Sequence, residues 1–311
     1  MRAIGLTAFG GPDVLKTLDL PDPQPGPGEV RVRVRAATVN PSDTALRSGA
    51  FAQFMNDVQP PYIPGWDAAG EIDEVGEGVD WQVGDRVMAV VLPIGPNKGA
   101  YAERIVAPAE SVARIPEGVG YPAASTLLMN GLTARMTLDQ LALQPGQTLG
   151  VTGAAGSYGG YVVQLAKADG LRVVADAAPT DEPLVRQLGA DVIVERGADV
   201  ASRVREQVPE GVDGLADGAV LGADALPAVR DGGRLAQVRP FTGETERGIT
   251  VHSVFVGDYL TRQDKIAQLQ RLAADGALTL RVAETFPAEQ AAETHRRLEA
   301  GGVRGRLVLE F

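Results

Sequence analysis

The 311-residue sequence contains no cysteine and only two histidines, His252 and His295. The absence of cysteine excludes disulfide bonds, thiolate catalysis and zinc sites built from thiolates, and it suits a reducing compartment. The two histidines are too far apart in the sequence to form a short metal-binding motif, so we expect ordinary surface or packing roles for them. No metal site is therefore predicted.

Positive charge is also scarce, because 29 Lys and Arg stand against 40 Asp and Glu and give a formal net charge of -11. Such a chain repels phosphate backbones and anionic lipid, so neither nucleic acid nor a membrane is predicted as a partner. The N-terminal residues lack the apolar core of a signal peptide, and no run approaches the roughly 18 apolar residues of a membrane span. We expect a cytoplasmic protein that binds a small molecule.

What the sequence does contain predicts an α/β fold with two cores. Residues 1–119 form short β-rich runs, in which Val30, Val32 and Val34 alternate with arginines. This period of two is typical of a strand with one buried face, and the region is predicted to be a β-barrel. From residue 120 to 257 helices alternate with apolar strands, which predicts a doubly wound parallel sheet. Residues 258–311 are predicted to return to the first domain.

Six strands are predicted in the second domain, at 148–152, 172–176, 191–194, 214–217, 234–238 and 249–256. Six strands complete a doubly wound sheet. If the last strand lies at the edge of the sheet, a second copy of the chain can extend the sheet across a twofold axis. A homodimer is therefore predicted.

The segment TGAAGSYGG at 152–160 follows the first of these strands and opens a helix. Its Gly153, Gly156 and Gly159 have GxxGxxG spacing, a variant of the dinucleotide-binding fingerprint with Ala155 at the usual second glycine. Such glycines let the main chain approach a diphosphate, and the helix N-terminus offers it N–H donors. The predicted diphosphate-binding residues are Gly153, Ala154, Ala155, Gly156, Ser157, Tyr158 and Gly159. The alternative is that a strand-to-helix turn simply favours small residues.

Two residues bear on the choice between NADH and NADPH. Asp176, at the end of the second strand, can accept hydrogen bonds from a ribose 2′-hydroxyl and would repel a 2′-phosphate. Arg196 follows the third strand, where a guanidinium can bind a 2′-phosphate or remain a solvated surface charge. The residues alone leave this choice open.

The whole chain resembles the medium-chain dehydrogenase/reductase superfamily, and best of all its zinc-independent quinone oxidoreductase branch. The similarity runs in order along the chain, which is more specific than any single motif. It is carried by VNPSDTALRSG (39–49), PYIPGWDAAGEIDEVGEGV (61–79), VGDRV (83–87), GAYAERIVAP (99–108), NGLTA (130–134), GAAGSYGGYVVQLAK (153–167), LGAD (188–191) and GGVRGRLVLEF (301–311).

The resemblance implies a GroES-like catalytic domain from residues 1–119 and 258–311, and a Rossmann domain from 120–257. Zinc-dependent members carry a cysteine and a histidine at the positions of Asn40 and Trp66, so a metal-free mechanism is implied here. Arg196 stands where the branch usually has a tyrosine near the phosphate, which favours NADPH, with NADH as the alternative. The implied substrates are quinones or α,β-unsaturated carbonyls, which accept hydride and spread the resulting charge.

Residue roles also follow from the resemblance. Asn40 and Tyr62 are the candidate catalytic residues, and no residue is evident as a general acid. Further contacts to the cofactor are implied for Asn40, Thr133, Gly218, Ala219, Val220, Val238, Arg239, Phe255, Val256 and Arg306. Ala45 replaces a tyrosine of some quinone reductases, so a cofactor-binding protein without turnover, structural or redox-sensing, is the alternative. A methyltransferase fits less well because it does not explain the first third of the chain.

Overall fold

The computed structural model describes residues 1–55 and 57–311. The chain divides into two compact units. The first contains Met1–Met129, Leu260–Ala274 and Leu280–Phe311, and the second contains Asn130–Tyr259 and Asp275–Thr279. Both ends of the chain therefore build the first unit.

The strands are short, apart from two in the first unit and one in the second. In chain order they are β1 (Arg2–Gly5), β2 (Lys16–Asp19), β3 (Glu29–Val39), β4 (Asp67–Val75), β5 (Arg86–Val90), β6 (Arg104–Pro108), β7 (Val112–Arg114), β8 (Thr148–Thr152), β9 (Arg172–Ala177), β10 (Val192–Glu195), β11 (Val212–Asp217), β12 (Val229–Gln237), β13 (Thr250–Ser253), β14 (Val282–Pro287) and β15 (Arg306–Glu310).

The α-helices are α1 (Pro41–Ser48), α2 (Tyr121–Ala124), α3 (Leu128–Leu141), α4 (Ser157–Ala168), α5 (Glu182–Gln187), α6 (Val200–Gln207), α7 (Gln263–Ala274) and α8 (Ala291–Glu299). Short 3-10 helices span Pro12–Val14, Ala52–Phe54, Ala109–Ser111, Gly222–Ala228, Val256–Tyr259 and Ala288–Gln290. Within the described part of the chain, no helix has both the length and the apolar character needed to cross a membrane.

The first unit is built on a seven-stranded sheet whose central strand is β3. β3 pairs antiparallel with β4, β6 and β15, and a separate hairpin joins β1 to β2. Val30, Val32 and Val34 are buried along β3, whereas the neighbouring arginines reach the surface and Arg31 bonds Asp73 at 2.7 Å. The predicted alternation of buried and solvent-facing residues is confirmed. It follows from the pleat, which turns successive side chains to opposite faces.

The second unit contains a six-stranded sheet in the order β10-β9-β8-β11-β12-β13. All neighbouring strands are parallel. Counted from β8 the order is 3-2-1-4-5-6, so the predicted doubly wound sheet is confirmed. In this arrangement the carboxyl ends of β8, β9 and β11 meet at one edge of the sheet, which is where such sheets bind ligands.

The prediction of a strand over 249–256 is wrong in length, because β13 covers only Thr250–Ser253. Val254 still donates its N–H to the carbonyl of Gln237, but a 3-10 helix begins at Val256, so the run is divided between an edge strand and a 3-10 helix whose first residue is buried. Phe255 and Val256 thus lie beyond the strand. β13 is nonetheless the edge strand of the sheet, as expected.

Candidate functional site

The glycine-rich turn joins β8 to α4 with very little space between the helix and the turn. Gly153 has φ +69°, a left-handed conformation that glycine adopts without strain. A Cβ on Gly159 would lie only 2.3 Å from the carbonyl oxygen of Gly153. Glycine at 159 therefore allows the first turn of α4 to rest directly on the turn that precedes it.

The space that a side chain on Gly156, the N-cap of α4, would occupy is by contrast largely free of atoms from the described residues. Beyond its own chain neighbours, a Cβ on Gly156 would meet just one atom within 4 Å, the Gly153 carbonyl oxygen at 3.1 Å. Ser157, the first residue of α4, is 8% exposed, and its Oγ is buried without a hydrogen-bond partner among the residues that the structure describes. The first N–H groups of a helix also lack partners within it. A buried hydroxyl, helix N–H groups and open space together fit an anionic diphosphate.

Asp176 and Arg196 lie at the tips of neighbouring strands. Asp176 Oδ1 accepts the N–H of Ala154 at 3.1 Å, so this carboxylate braces the glycine-rich turn. Burial raises the pKa of Asp176, while the N–H groups of the turn and the charge of Arg196 act in the opposite direction. Arg196 is exposed and directly follows β10. An exposed guanidinium therefore stands close to a buried carboxylate.

The loop after β11 is held by two buried polar side chains. Thr152 Oγ1 donates to Asp217 Oδ1 at 2.7 Å, and Asp217 Oδ2 accepts the N–H of Gly222 at 2.8 Å. Thr152 Oγ1 also accepts the N–H of Ala219 at 3.2 Å. Val220 in this loop has φ +58° and is 43% exposed. A β-branched residue in the left-handed region is strained, so the fixed ends of the loop impose this conformation.

The remaining candidates of the second unit lie on α3, on α4 and after the last two strands. Thr133 and Val256 are buried, Val238 is half-buried and Arg239 is exposed. Phe255 is 51% exposed. Tyr158 hydrogen-bonds Thr137 on α3 at 2.8 Å. Their contacts with a ligand stay predictions.

In the first unit, Asn40 lies in a buried polar cluster. Asn40 is the N-cap of α1 and is fully buried. Its main-chain N–H donates to Asp43 Oδ2 at 2.8 Å, and its Nδ2 donates to Asp67 Oδ2 at 3.0 Å. Asp67 Oδ1 in turn accepts the N–H of Met129 at 2.7 Å. These bonds fix both the main chain and the amide orientation of Asn40.

The same cluster brings two buried carboxyl groups near a buried arginine. Burial raises the pKa of Asp43 and of Asp67 to about 7, and Arg306 lowers both. Asp43 also accepts the N–H of Gly65 at 2.9 Å and the hydroxyl of Tyr101 at 3.3 Å. Asn40 and Arg306, predicted separately, thus lie around two aspartates that the sequence analysis did not select. Only Asp43 lies in a recognisable sequence pattern, because an Asn followed three positions later by Asp is typical of a capped helix start.

Tyr62 has different surroundings. Its ring stacks on Phe9 with centroids 4.9 Å apart and planes at 8°. Its main chain pairs with Leu6 through both the N–H and the carbonyl. These contacts do not include Asn40, so the catalytic role given to Tyr62 stays a prediction.

No group of three or more acidic or histidine side chains that could hold a metal ion occurs in residues 1–55 and 57–311. Trp66 is 2% exposed and packs within the first unit. The expectation of a metal-free site stays a prediction, supported by the side chains present.

Comparison with known proteins gives matches along the whole chain. The family described as "Alcohol dehydrogenase GroES-like domain" matches residues 26–117, and that described as "Zinc-binding dehydrogenase" matches residues 188–309. The quinone oxidoreductase of Pseudomonas aeruginosa is 31% identical over 334 residues, covering 99% of each chain. The human quinone oxidoreductase is 29% identical over 330 residues, covering 99% of this chain and 97% of the human one.

Solved structures of similar oxidoreductases also match this chain over its whole length. A mycobacterial protein described as complexed with NADPH has a TM-score of 0.87 at 30% identity, and the match covers both chains fully. An NAD-dependent alcohol dehydrogenase has the same TM-score, identity and coverage. The α/β fold with a GroES-like domain and a Rossmann-like sheet is therefore confirmed.

Proposed function

Because the chain belongs to the quinone oxidoreductase branch of the medium-chain dehydrogenase/reductase superfamily, we propose that it reduces quinones or α,β-unsaturated carbonyls with NADPH and without zinc. The chain is an NAD(P)H-dependent oxidoreductase. When bound, the nicotinamide supplies the hydride. The observation that carries the proposal is the glycine-rich turn, with open space before Gly156 and the buried Ser157 hydroxyl.

The turn and the first residues of α4 would hold the diphosphate. Main-chain N–H groups and Ser157 Oγ are donors suited to its oxygens, and the helix dipole adds local positive potential in a protein of net charge -11. Asp176 keeps the turn in place through Ala154. These residues bind and orient the cofactor and need not change protonation.

NADPH is proposed over NADH because Asp176 and Arg196 differ in burial and in the contacts they already make. The Asp176 carboxylate is buried and already accepts an N–H of the turn, whereas Arg196 is exposed beside it. A guanidinium is well suited to a 2′-phosphate. One similar solved structure is described as complexed with NADPH and another, equally similar, as NAD-dependent, so the choice of NADPH rests on Asp176 and Arg196.

In the first unit, Asn40 is proposed to orient the reacting groups. Its amide is fixed by Asp67 and its main chain by Asp43, so it presents one defined arrangement. Such fixed groups assist reactions by positioning and by hydrogen bonds to developing negative charge. Electron-poor acceptors need no stronger electrophile, and Tyr62 is proposed as a second polar group near the substrate.

The test is a steady-state assay with purified protein, NADPH or NADH, and a panel of quinones and enones. We expect acceptor-dependent loss of reduced-nicotinamide absorbance, a higher kcat/KM with NADPH, and the same rates after dialysis against a chelator. Arg196→Ala should lower kcat/KM for NADPH by about tenfold, the equivalent of one lost charge-assisted bond, and leave NADH nearly unchanged. No acceptor-dependent loss, a preference for NADH, or inactivation by the chelator would each contradict the corresponding part of the proposal.

A homodimer is proposed on the basis of β13, which forms the edge of the parallel sheet. An edge strand presents main-chain groups that a second copy can pair with. Light scattering of the purified protein should give twice the chain mass, and a monomeric mass would reject the dimer.

A further inference from the structure

Tyr158 connects the glycine-rich turn to α3 through a directed hydrogen-bond chain. Its hydroxyl lies 2.8 Å from Thr137 Oγ1. Thr137 Oγ1 donates its own hydrogen to the carbonyl oxygen of Thr133 at 2.9 Å. A threonine hydroxyl has a single hydrogen, so Tyr158 must be the donor. The chain therefore runs from Tyr158 to Thr137 to the main chain at Thr133.

The ring of Tyr158 also contacts the loop after β11. A Cβ on Gly218 would lie 3.0 Å from Cδ1 and 3.2 Å from Cε1 of this ring, and 2.7 Å from the carbonyl oxygen of Thr152. The ring thus fills the space that a side chain at 218 would need. Gly218 opens the loop that Asp217 and Thr152 hold in place.

The hydrogen-bonding end of Tyr158 lies in the interior of the second unit. Thr137 is fully buried. Burial raises the pKa of the Tyr158 phenol, which keeps it a neutral donor. In such surroundings a donor that loses its acceptor remains unsatisfied, so the two hydroxyls depend on each other.

From these contacts we infer that Tyr158 is a positioning residue for the cofactor, which it serves without needing to touch it. It sets the spacing between three segments: α3 at Thr133, the turn at 153–159, and the loop at Gly218–Val220. Each of these is a candidate cofactor contact, so the inference rests on the proposed function. A side chain unable to hydrogen-bond at 158 would keep the turn and lose its connection to α3.

The inference is tested with Tyr158→Phe, Thr137→Val and the double variant. The readouts are the Kd for NADPH by fluorescence titration, kcat at saturating NADPH, and urea unfolding. Tyr259→Phe is the matched control, because its hydroxyl also bonds α3, at Asp139 and 2.9 Å, in the same unit. It removes a phenol bond to α3 without touching the turn or the loop.

We expect Tyr158→Phe to raise the Kd for NADPH about fivefold, since one neutral hydrogen bond is lost. Thr137→Val should raise it more, because it leaves the Tyr158 hydroxyl without its acceptor, and the double variant should be no worse than Thr137→Val. In all three, kcat should stay within about twofold, as expected when ground-state and transition-state binding weaken together. Tyr259→Phe should lower the free energy of unfolding, while its Kd for NADPH stays within about twofold of the wild-type value.

The inference would be overturned if Tyr158→Phe and Tyr259→Phe had the same Kd for NADPH. It would also be overturned if the effects of Tyr158→Phe and Thr137→Val on the binding free energy added fully in the double variant. If Thr137→Val does not fold, the comparison of the two tyrosine variants decides. If the wild-type protein reduces an acceptor with NADPH and Tyr158→Phe has the wild-type Kd for NADPH, this inference alone is refuted. Wild-type protein that fails to bind NADPH would refute the proposed function as well.

Discussion

Replacing Gly159 by alanine perturbs the contact on which the cofactor turn depends. The new Cβ would lie 2.3 Å from the Gly153 carbonyl oxygen, 2.8 Å from its carbon and 2.9 Å from the Ala154 Cα. All three are main-chain atoms, which cannot move aside as the end of a side chain can. The helix must therefore move away from the turn.

The size of the effect follows from this distance. An ordinary carbon-to-oxygen contact is about 3.3 Å, so α4 and the turn must separate by about 1 Å. Overpacking of this kind costs about 1–3 kcal/mol, and the better helix propensity of alanine returns about 1 kcal/mol. We expect a net loss of up to about 2 kcal/mol in the free energy of unfolding. The loss of one charge-assisted bond to the diphosphate would weaken NADPH binding by about 10- to 100-fold.

Urea unfolding and calorimetric titration with NADPH measure the two quantities. Gly11→Ala is the control, because Gly11 has φ -69° and, beyond Gly11 and its chain neighbours, no atom of the described residues lies within 4 Å of its Cβ position. This variant should stay within about 0.5 kcal/mol of wild type and bind NADPH unchanged. If Gly159→Ala keeps wild-type stability and affinity, the close approach of helix and turn does not support cofactor binding.

Three further changes test other parts of the site. Val220→Gly relieves the positive φ of a half-exposed residue, and urea unfolding should show a gain of about 0.5–1 kcal/mol; a clear loss would contradict the strain. Asp67→Asn leaves one acceptor oxygen for the two donors, Asn40 and Met129. Asn40 then loses its fixed orientation, so kcat/KM should fall by about tenfold. An unchanged kcat/KM would contradict the positioning role of this pair. Burial raises the pKa of Asp43 and Asp67 to about 7, against 3.8 for the unperturbed group, so the folded protein holds protons that the unfolded chain releases. The stability that this pair contributes should therefore fall as the pH rises from about 4 to 7 and level off above pH 7. Urea unfolding across that range should show a shallower fall of the unfolding free energy in Asp43→Asn than in the wild type. An identical slope in the two proteins would contradict the raised pKa of Asp43.

The fold was predictable because its main signals are local. Alternation of Val30, Val32 and Val34 with arginines reports a pleated strand with one buried face, and the repeated strand–helix pattern limits the connections to a doubly wound sheet. The glycine-rich turn was recognisable because its spacing reflects main-chain packing over a few residues. The end of β13 was not recognisable from the sequence, because apolar residues continue past the point where the chain leaves the strand.

The site was predictable only in part, since its hydrogen bonds join distant residues. Asp67 holds the amide of Asn40, and Thr137 accepts from Tyr158, across 27 and 21 positions of the sequence. Nothing in the local pattern around Asp67 or Thr137 specifies these partners, because they depend on how strands and helices pack. The strain at Val220 likewise arises from bonds at Asp217 that only the folded loop makes.

The most direct test of the central claim is a crystal structure of the protein grown with NADPH. The account predicts the diphosphate against the main chain of the turn at 153–159, within hydrogen-bond distance of Ser157 Oγ, with Arg196 at the 2′-phosphate. A cofactor bound elsewhere, or a turn whose open space is filled by the protein's own atoms, would contradict it.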